Sequence, residues 1–193
     1  QGFVDLTKEI PLTFEELAKI GELGSQLGVP KQALLDFTET VAALGVTTNL
    51  TTEDAATGLA RISNIFAISE DNKAGNVVHL GSTIVDLGNK FATTESEILN
   101  FGLRIAGAGR IAGLTQADVL SIGAAMSSVG IEAEAGGTAV QKVLLSMNNA
   151  VNGAATGFTD FSKQIDENVG QMSDLNAESA RLEAQFPGLQ SQI

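Results

Sequence analysis

The 193-residue chain has no cysteine, no tryptophan and no tyrosine. Without cysteine it has no disulfide, no thiolate nucleophile and no cysteine-based zinc site. It has a single histidine, His79, so a metal centre or a triad would have to draw its other members from acids and hydroxyls. Basic residues are scarce: 11 Lys and Arg stand against 23 Asp and Glu, for a formal net charge of −12. They nowhere cluster into the basic stripe that displaces counterions from phosphates, which argues against sequence-specific nucleic-acid binding. Acidity of this kind suits a solvated surface that resists nonspecific association. No apolar run reaches the roughly 18 residues of a membrane-spanning helix. Leu120 to Val129, the nearest approach, is interrupted by Ser and Gly. The chain opens at Gln1 with no signal-peptide pattern and reads as a segment of a longer polypeptide.

Hydrophobic residues nevertheless make up 44% of the chain, enough for a real core in one domain or two small ones. The aromatics are nine Phe, so Leu, Ile, Val and Ala must fill most of that core. This favours close helix packing over a large cavity. A disordered linker with 21 Gly would also be polar, and this chain is not; its glycines belong within or between packed elements.

The pattern is helical throughout. Thr13 with Glu16, Thr51 with Asp54, Thr94 with Glu97 and Thr115 with Asp118 read as capping boxes. Pro30 suits a first helical turn, and Gly45 suits the stop of that helix. Apolar residues step by three and four along Leu34, Phe37, Val41 and Leu44, and along Val77, Leu80, Ile84, Leu87 and Phe91. Ile98, Phe101 and Ile105 form a further stripe, as do Val119, Ile122, Met126 and Val129, and then Val140, Leu144, Met147 and Val151. Helices are predicted at about 13–27, 30–44, 51–67, 73–91, 94–111, 115–129, 137–152 and 159–185, joined by short loops as antiparallel neighbours. No run alternates strictly, so the expected class is all-α: a compact bundle of about seven short helices and a more polar, extended C-terminal one. Leu12-Thr13, Leu50-Thr51 and Leu114-Thr115 recur, each as a staple-plus-cap start, not as a repeat with a full matching period. Three regions are expected: an N-terminal helix and linker over 1–29, a core domain over 30–152 and a polar helix over 153–193. That last helix has a thin stripe of Ile165, Val169, Met172 and Leu175, the geometry of a coiled coil or a partner-dependent helix.

Candidate chemistry is thin. His79 sits beside the Leu80 stripe and reads as a surface histidine. The acid pairs Glu15/Glu16, Glu53/Asp54 and Glu70/Asp71 lie at helix starts, where acids offset the dipole. Glu132 and Glu134 precede Gly136-Gly137, which reads as a glycine turn opening the Val140 helix with Thr138 near its cap. GAG at Gly107–Gly109 and AGG at Ala135–Gly137 lack the phosphate-loop spacing and any preceding strand. Gly102 with Ala106, and Gly109 with Gly113, have instead the small-residue spacing of close helix crossings. Ser127 and Ser128 have no nearby base. The expectation is a non-enzymatic protein with no catalytic, cofactor-binding or metal site and no cofactor.

The order LARISNIFAIS, then LGSTIVDLGNKFATTESEILNFGLRIAGAG, then GLTQADVLSIGAAMSSVGIEAEAGGTAVQKVL resembles the TP901-type core region of phage tail tape measure proteins. The resemblance covers about Leu34 to Val151, and GNKFATTESEI with SSVGIEAEAGGTA are its most specific strings. It implies a virion protein inside the tail tube or tail tip of a phage or prophage, which sets tail length during assembly. It also implies ejection at infection, with contact to the host envelope as the genome crosses it. The implied partners are tail tube and tail-tip or baseplate proteins, tail assembly chaperones, and further copies of the chain, as a trimer. The competing reading is a non-catalytic helical adaptor or tail-assembly chaperone-like domain.

Overall fold

A computed structural model of the chain describes residues 2–66 and 73–185. Among these residues the secondary structure is helix alone: α1 Gly2–Glu9, α2 Phe14–Gln26, α3 Leu34–Thr47, α4 Thr52–Ile65, α5 Lys73–Lys90, α6 Glu95–Ile111, α7 Gln116–Ser128 and α8 Ala133–Gln185. A single 3-10 turn, Lys31–Ala33, leads into α3. The fold is all-α, as the periodicity implies.

The helix starts follow from the caps. The Thr13, Thr51, Thr94 and Thr115 hydroxyls each accept from the backbone N–H three residues on. At Thr13, Thr94 and Thr115 the acid answers back to the N-cap N–H, completing the box. At Thr51 only the hydroxyl half forms, and the Thr51 hydroxyl donates to the Asp54 carboxylate at 2.6 Å. Three helices end alike. Gly28, Gly113 and Gly130 adopt φ of 86°, 81° and 80°. After each, the next residue (Val29, Leu114, Ile131) donates back to a carbonyl five positions earlier. This is the Schellman closure, which needs a left-handed residue that glycine supplies without a Cβ penalty.

The chain divides into two compact units, residues 1–147 and 148–193. Unit 1 is built around Phe37, Val41, Leu59, Ile62, Ile84 and Ile98, all wholly buried, where α2–α6 meet. Each such side chain contributes about 1.5–3 kcal/mol of burial. A second, smaller cluster joins Phe101, Ile105, Ala106 and Val119, with Ile131 and Val140 packed against it. Helices α6 and α7 pair extensively. The pairing is close because Gly123 of α7 lies over backbone: a Cβ there would sit 3.0 Å from the Ile98 carbonyl oxygen. Unit 2, as far as it is described, is the helical stretch 148–185, its side chains almost all exposed.

Several expectations need correction. Gly45 does not stop α3, which runs to Thr47; Gly45 instead lets α3 approach Thr52. Pro30 caps the 3-10 turn with extended backbone and lies outside the first helical turn. Gly113 takes no part in a helix crossing; it is the left-handed terminator of α6. Gly136 and Gly137 make no turn. The helix expected from 137 starts at Ala133 and runs unbroken to Gln185, because no proline or left-handed residue interrupts it. Thr138 is therefore internal, its hydroxyl donating to the Glu134 carbonyl at 2.9 Å. Helix α1 was not expected; its eight residues bury Leu6. Phe91 and Val129, placed on apolar stripes, lie just past their helices and are exposed.

Candidate functional site

The acids are the natural place to look for chemistry, and local backbone already engages several of them. Glu16 accepts from the Thr13 N–H at 2.8 Å and its hydroxyl at 2.9 Å. Glu97 accepts from the Thr94 N–H at 3.0 Å and hydroxyl at 2.9 Å, and from the Thr93 hydroxyl at 3.1 Å. Asp118 accepts from the Thr115 hydroxyl at 2.6 Å and N–H at 2.9 Å. The Thr13 N–H foremost, then its hydroxyl, holds Glu16 below the ordinary carboxyl range. Glu97 is lowered in the same order by Thr94, then Thr93; Asp118 is lowered chiefly by the Thr115 hydroxyl. A general acid needs the reverse, a carboxyl raised toward the working pH. These three are fitted to stay ionised and cap helices.

Glu15 and Glu53 stand exposed in the first turns of α2 and α4. Glu70/Asp71 lie outside the described residues. Glu132 and Glu134 both face solvent beside the start of α8, and their carbonyls, not their carboxylates, bond to Gly136 N and Thr138. His79 is exposed on α5, at a shallow recess of 230 Å³ shared with Thr83, Thr115 and Gln116. Among the described residues no three His, Asp or Glu gather where they could hold a metal ion. No described helix is long and apolar enough to cross a membrane.

The hydroxyl and glycine candidates are also committed. The Ser127 hydroxyl donates to the Gly123 carbonyl at 2.8 Å and lies 2.7 Å from the Thr93 hydroxyl, tying α7 to the loop before α6. The Ser128 hydroxyl donates to Ala125 at 2.8 Å. In the GAG string, Gly107 faces open space while a Cβ on Gly109 would sit 2.6 Å from Val119 Cγ2. In the AGG string, Gly136 lies against Ile131 and Phe101, and Gly137 against Arg104. These glycines admit neighbouring side chains, not phosphates. Gln141 adds a bond from α8 to the Arg104 carbonyl of α6.

The grooves are open and shallow in chemistry. One of 420 Å³ runs between α2 and α4 over Leu12, Ile20 and Leu23, with Glu16, Lys19 and Glu53 at its rim. Another of 490 Å³ lies between α3 and α5, beside Thr40, Gly81 and Asp86. Large apolar side chains stand exposed in unit 2, where Phe158 is 72% and Leu175 69% accessible.

Residues 3–192 match the family of phage-related minor tail proteins. The chain belongs to that family. It is a structural component of a phage tail, located in the virion tail, where it meets other tail components. No curated protein and no solved structure matches it. In this minor tail protein the match runs through both units, so the polar, thinly striped helix of unit 2 is as much a part of the family pattern as the packed helices of unit 1.

Proposed function

We propose that this chain is a segment of a tape measure protein of the TP901 type. It sets tail length during assembly, leaves the tail at infection and helps the genome cross the host envelope. It does so without catalytic activity and without a cofactor. Residues 30–152 are its core domain, with α1 and α2 of residues 1–29 packed into the same core, and 153–193 form a partner-dependent helix. Its partners are tail tube and tail-tip proteins, tail assembly chaperones and further copies of itself, three in the assembled tail.

One observation supports this reading above the rest. Within a minor tail family match over residues 3–192, the strings GNKFATTESEI and SSVGIEAEAGGTA carry, in order, the resemblance to tape measure proteins. Each spans a helix junction, α5 to α6 and α7 to α8, where sequence is tied to a specific turn. Helix also suits a ruler, since every residue adds about 1.5 Å of fixed length. The test is an in-frame deletion of helical residues in the parent protein, outside this segment. Removing about 20 residues should shorten tails by about 30 Å. Tails of unchanged length would remove the ruler role and favour an adaptor or chaperone-like domain.

A further inference from the structure

The helix of unit 2 carries a seam that repeats every seven residues. Counted from Val151, the a positions are Val151, Phe158, Ile165 and Met172, followed by Ser179. The d positions after Ala154 are Phe161, Asn168, Leu175 and Leu182. Every large apolar side chain of this set is exposed, from 46% for Ile165 to 72% for Phe158. A strict seven-residue repeat drifts about 20° per heptad around a straight helix, so it stays on one face only if helices wind around each other. The seam therefore fits another helix of the same repeat better than a groove on a globular body.

Charge points to the identity of that helix. The e and g positions flanking the seam from Asn148 to Asn176 are uncharged, among them Ser162, Gln164, Val169 and Gln171. The charged residues of this stretch (Asp160, Lys163, Asp166, Glu167 and Asp174) all fall at b, c or f. In a chain of net charge −12, two identical helices can thus meet over this stretch without facing like charges; beyond it, Glu178 at g and Glu183 at e bring like charges together at the C-terminal end of the seam. Between Asn148 and Asn176 a foreign partner chosen by charge would find nothing to read. Asn168 adds alignment. In a parallel, in-register pair it faces its own copy, whose amide both donates and accepts. Slipped by a heptad it would face Phe161 or Leu175, and in an antiparallel pair an a residue, leaving a buried amide unbonded.

We propose that unit 2 assembles with further copies of this chain as a parallel, in-register coiled coil, aligned by a layer of Asn168 side chains. This rests on the self-association named above and specifies its face, direction and register. The test uses the full chain. Sedimentation equilibrium should show concentration-dependent assembly. Ile165→Asp should weaken it by at least about a hundredfold, since a charge would be buried unpaired, while the thermal transition of unit 1 stays in place. Asn168→Leu should assemble more tightly but into a mixture of species. Because the chain has no cysteine, Ser179→Cys and Ala154→Cys each introduce the sole thiol. Oxidised mixtures should give 179–179 and 154–154 links and no 154–179 link. A chain that stays monomeric, assembly indifferent to Ile165→Asp, or a dominant 154–179 link would overturn the proposal. Tails that shorten on deletion around a monomeric segment would sink the seam and spare the ruler. An in-register coil in tails of fixed length would do the reverse.

Discussion

Two glycines two residues apart on α6 should respond oppositely to the same substitution. Gly107 is exposed and a Cβ there meets nothing within 4 Å; Gly109 is buried, and a Cβ would lie 2.6 Å from Val119 Cγ2. Alanine at either position gains about 0.5–1 kcal/mol by removing backbone freedom from the unfolded chain and the helix penalty of glycine. At 107 that gain stands alone, so Gly107→Ala should stabilise by about that amount. At 109 the contact is with a β-branched side chain that has no other easy rotamer in a helix and is wholly buried. Overpacking of this kind costs about 1–3 kcal/mol, which exceeds the gain. Gly109→Ala should therefore destabilise by about 1 kcal/mol. The two variants should differ by about 4–8 °C in Tm for a domain of this size. Chemical denaturation of the purified chain gives the same comparison, with m unchanged. A double variant with Val119→Ala removes the offending methyl, so its cost should fall below the sum of the single costs. If Gly109→Ala stabilises as much as Gly107→Ala, or if its effect simply adds to Val119→Ala, the close-approach reasoning is wrong.

Thr94→Ala should cost about 0.5–2 kcal/mol, read as a lowered denaturation midpoint, because the α6 cap is a complete reciprocal box. Glu16, Glu97 and Asp118 have lowered carboxyl pKa values in the folded chain, so their contribution is present above the unfolded values, about 4.3 for Glu and 3.9 for Asp. It is lost as pH falls through the folded values. Stability should decline below those values, and Glu97→Gln should flatten the decline in a urea titration across that window. Gly136→Ala should destabilise by steric overlap with Ile131 and Phe101, although its backbone is helical, whereas Gly130→Ala should cost about 1–2 kcal/mol through its left-handed φ with no overlap. Equal stability of wild type and Gly136→Ala would contradict the packing account. His79→Ala, at an exposed position, should change stability by less than about 0.5 kcal/mol and leave the infectivity of the parent particle intact.

Much of the fold could be read from the sequence because its helix starts are chemically explicit. A threonine followed three residues later by an acid caps a helix at the four places where it follows a loop, whereas Thr83 with Asp86, the same spacing inside α5, does not: the Thr83 hydroxyl donates to the His79 carbonyl. The helix ends were harder. Gly45 looked like a terminator and is not, while Gly28, Gly113 and Gly130 are. Each true terminator stands between two apolar or small residues, as Leu27-Gly28-Val29, Ala112-Gly113-Leu114 and Val129-Gly130-Ile131. Gly45 also lies between apolar residues, so the triplet alone does not decide; Gly45 is glycine where α3 passes close to Thr52. Gly136-Gly137 misled for a related reason. A glycine pair suggests a turn, but here both lack side chains because Ile131, Phe101 and Arg104 occupy that space, which only the folded chain reveals. The chemistry of the candidate site was legible as residue types; that the acids would be engaged by their own caps followed from spacing. The long seam was only half seen, since two helices were expected where α8 is one, and a single helix is needed to keep one heptad register.

The two core clusters of unit 1 are unequal, and this sets the order in which it gives way. The first turns of α8 pack against the smaller cluster of Phe101, Ile105, Ala106 and Val119, while the larger one gathers α2 to α6. Amides at the start of α8 should exchange with solvent at lower free energy than those of α3 and α4. The same inequality acts under load. A pull on α8 is borne first by few side chains and yields there, while the main body stays folded. Unit 1 thus has a built-in weak end, and it is the end from which the long helix departs.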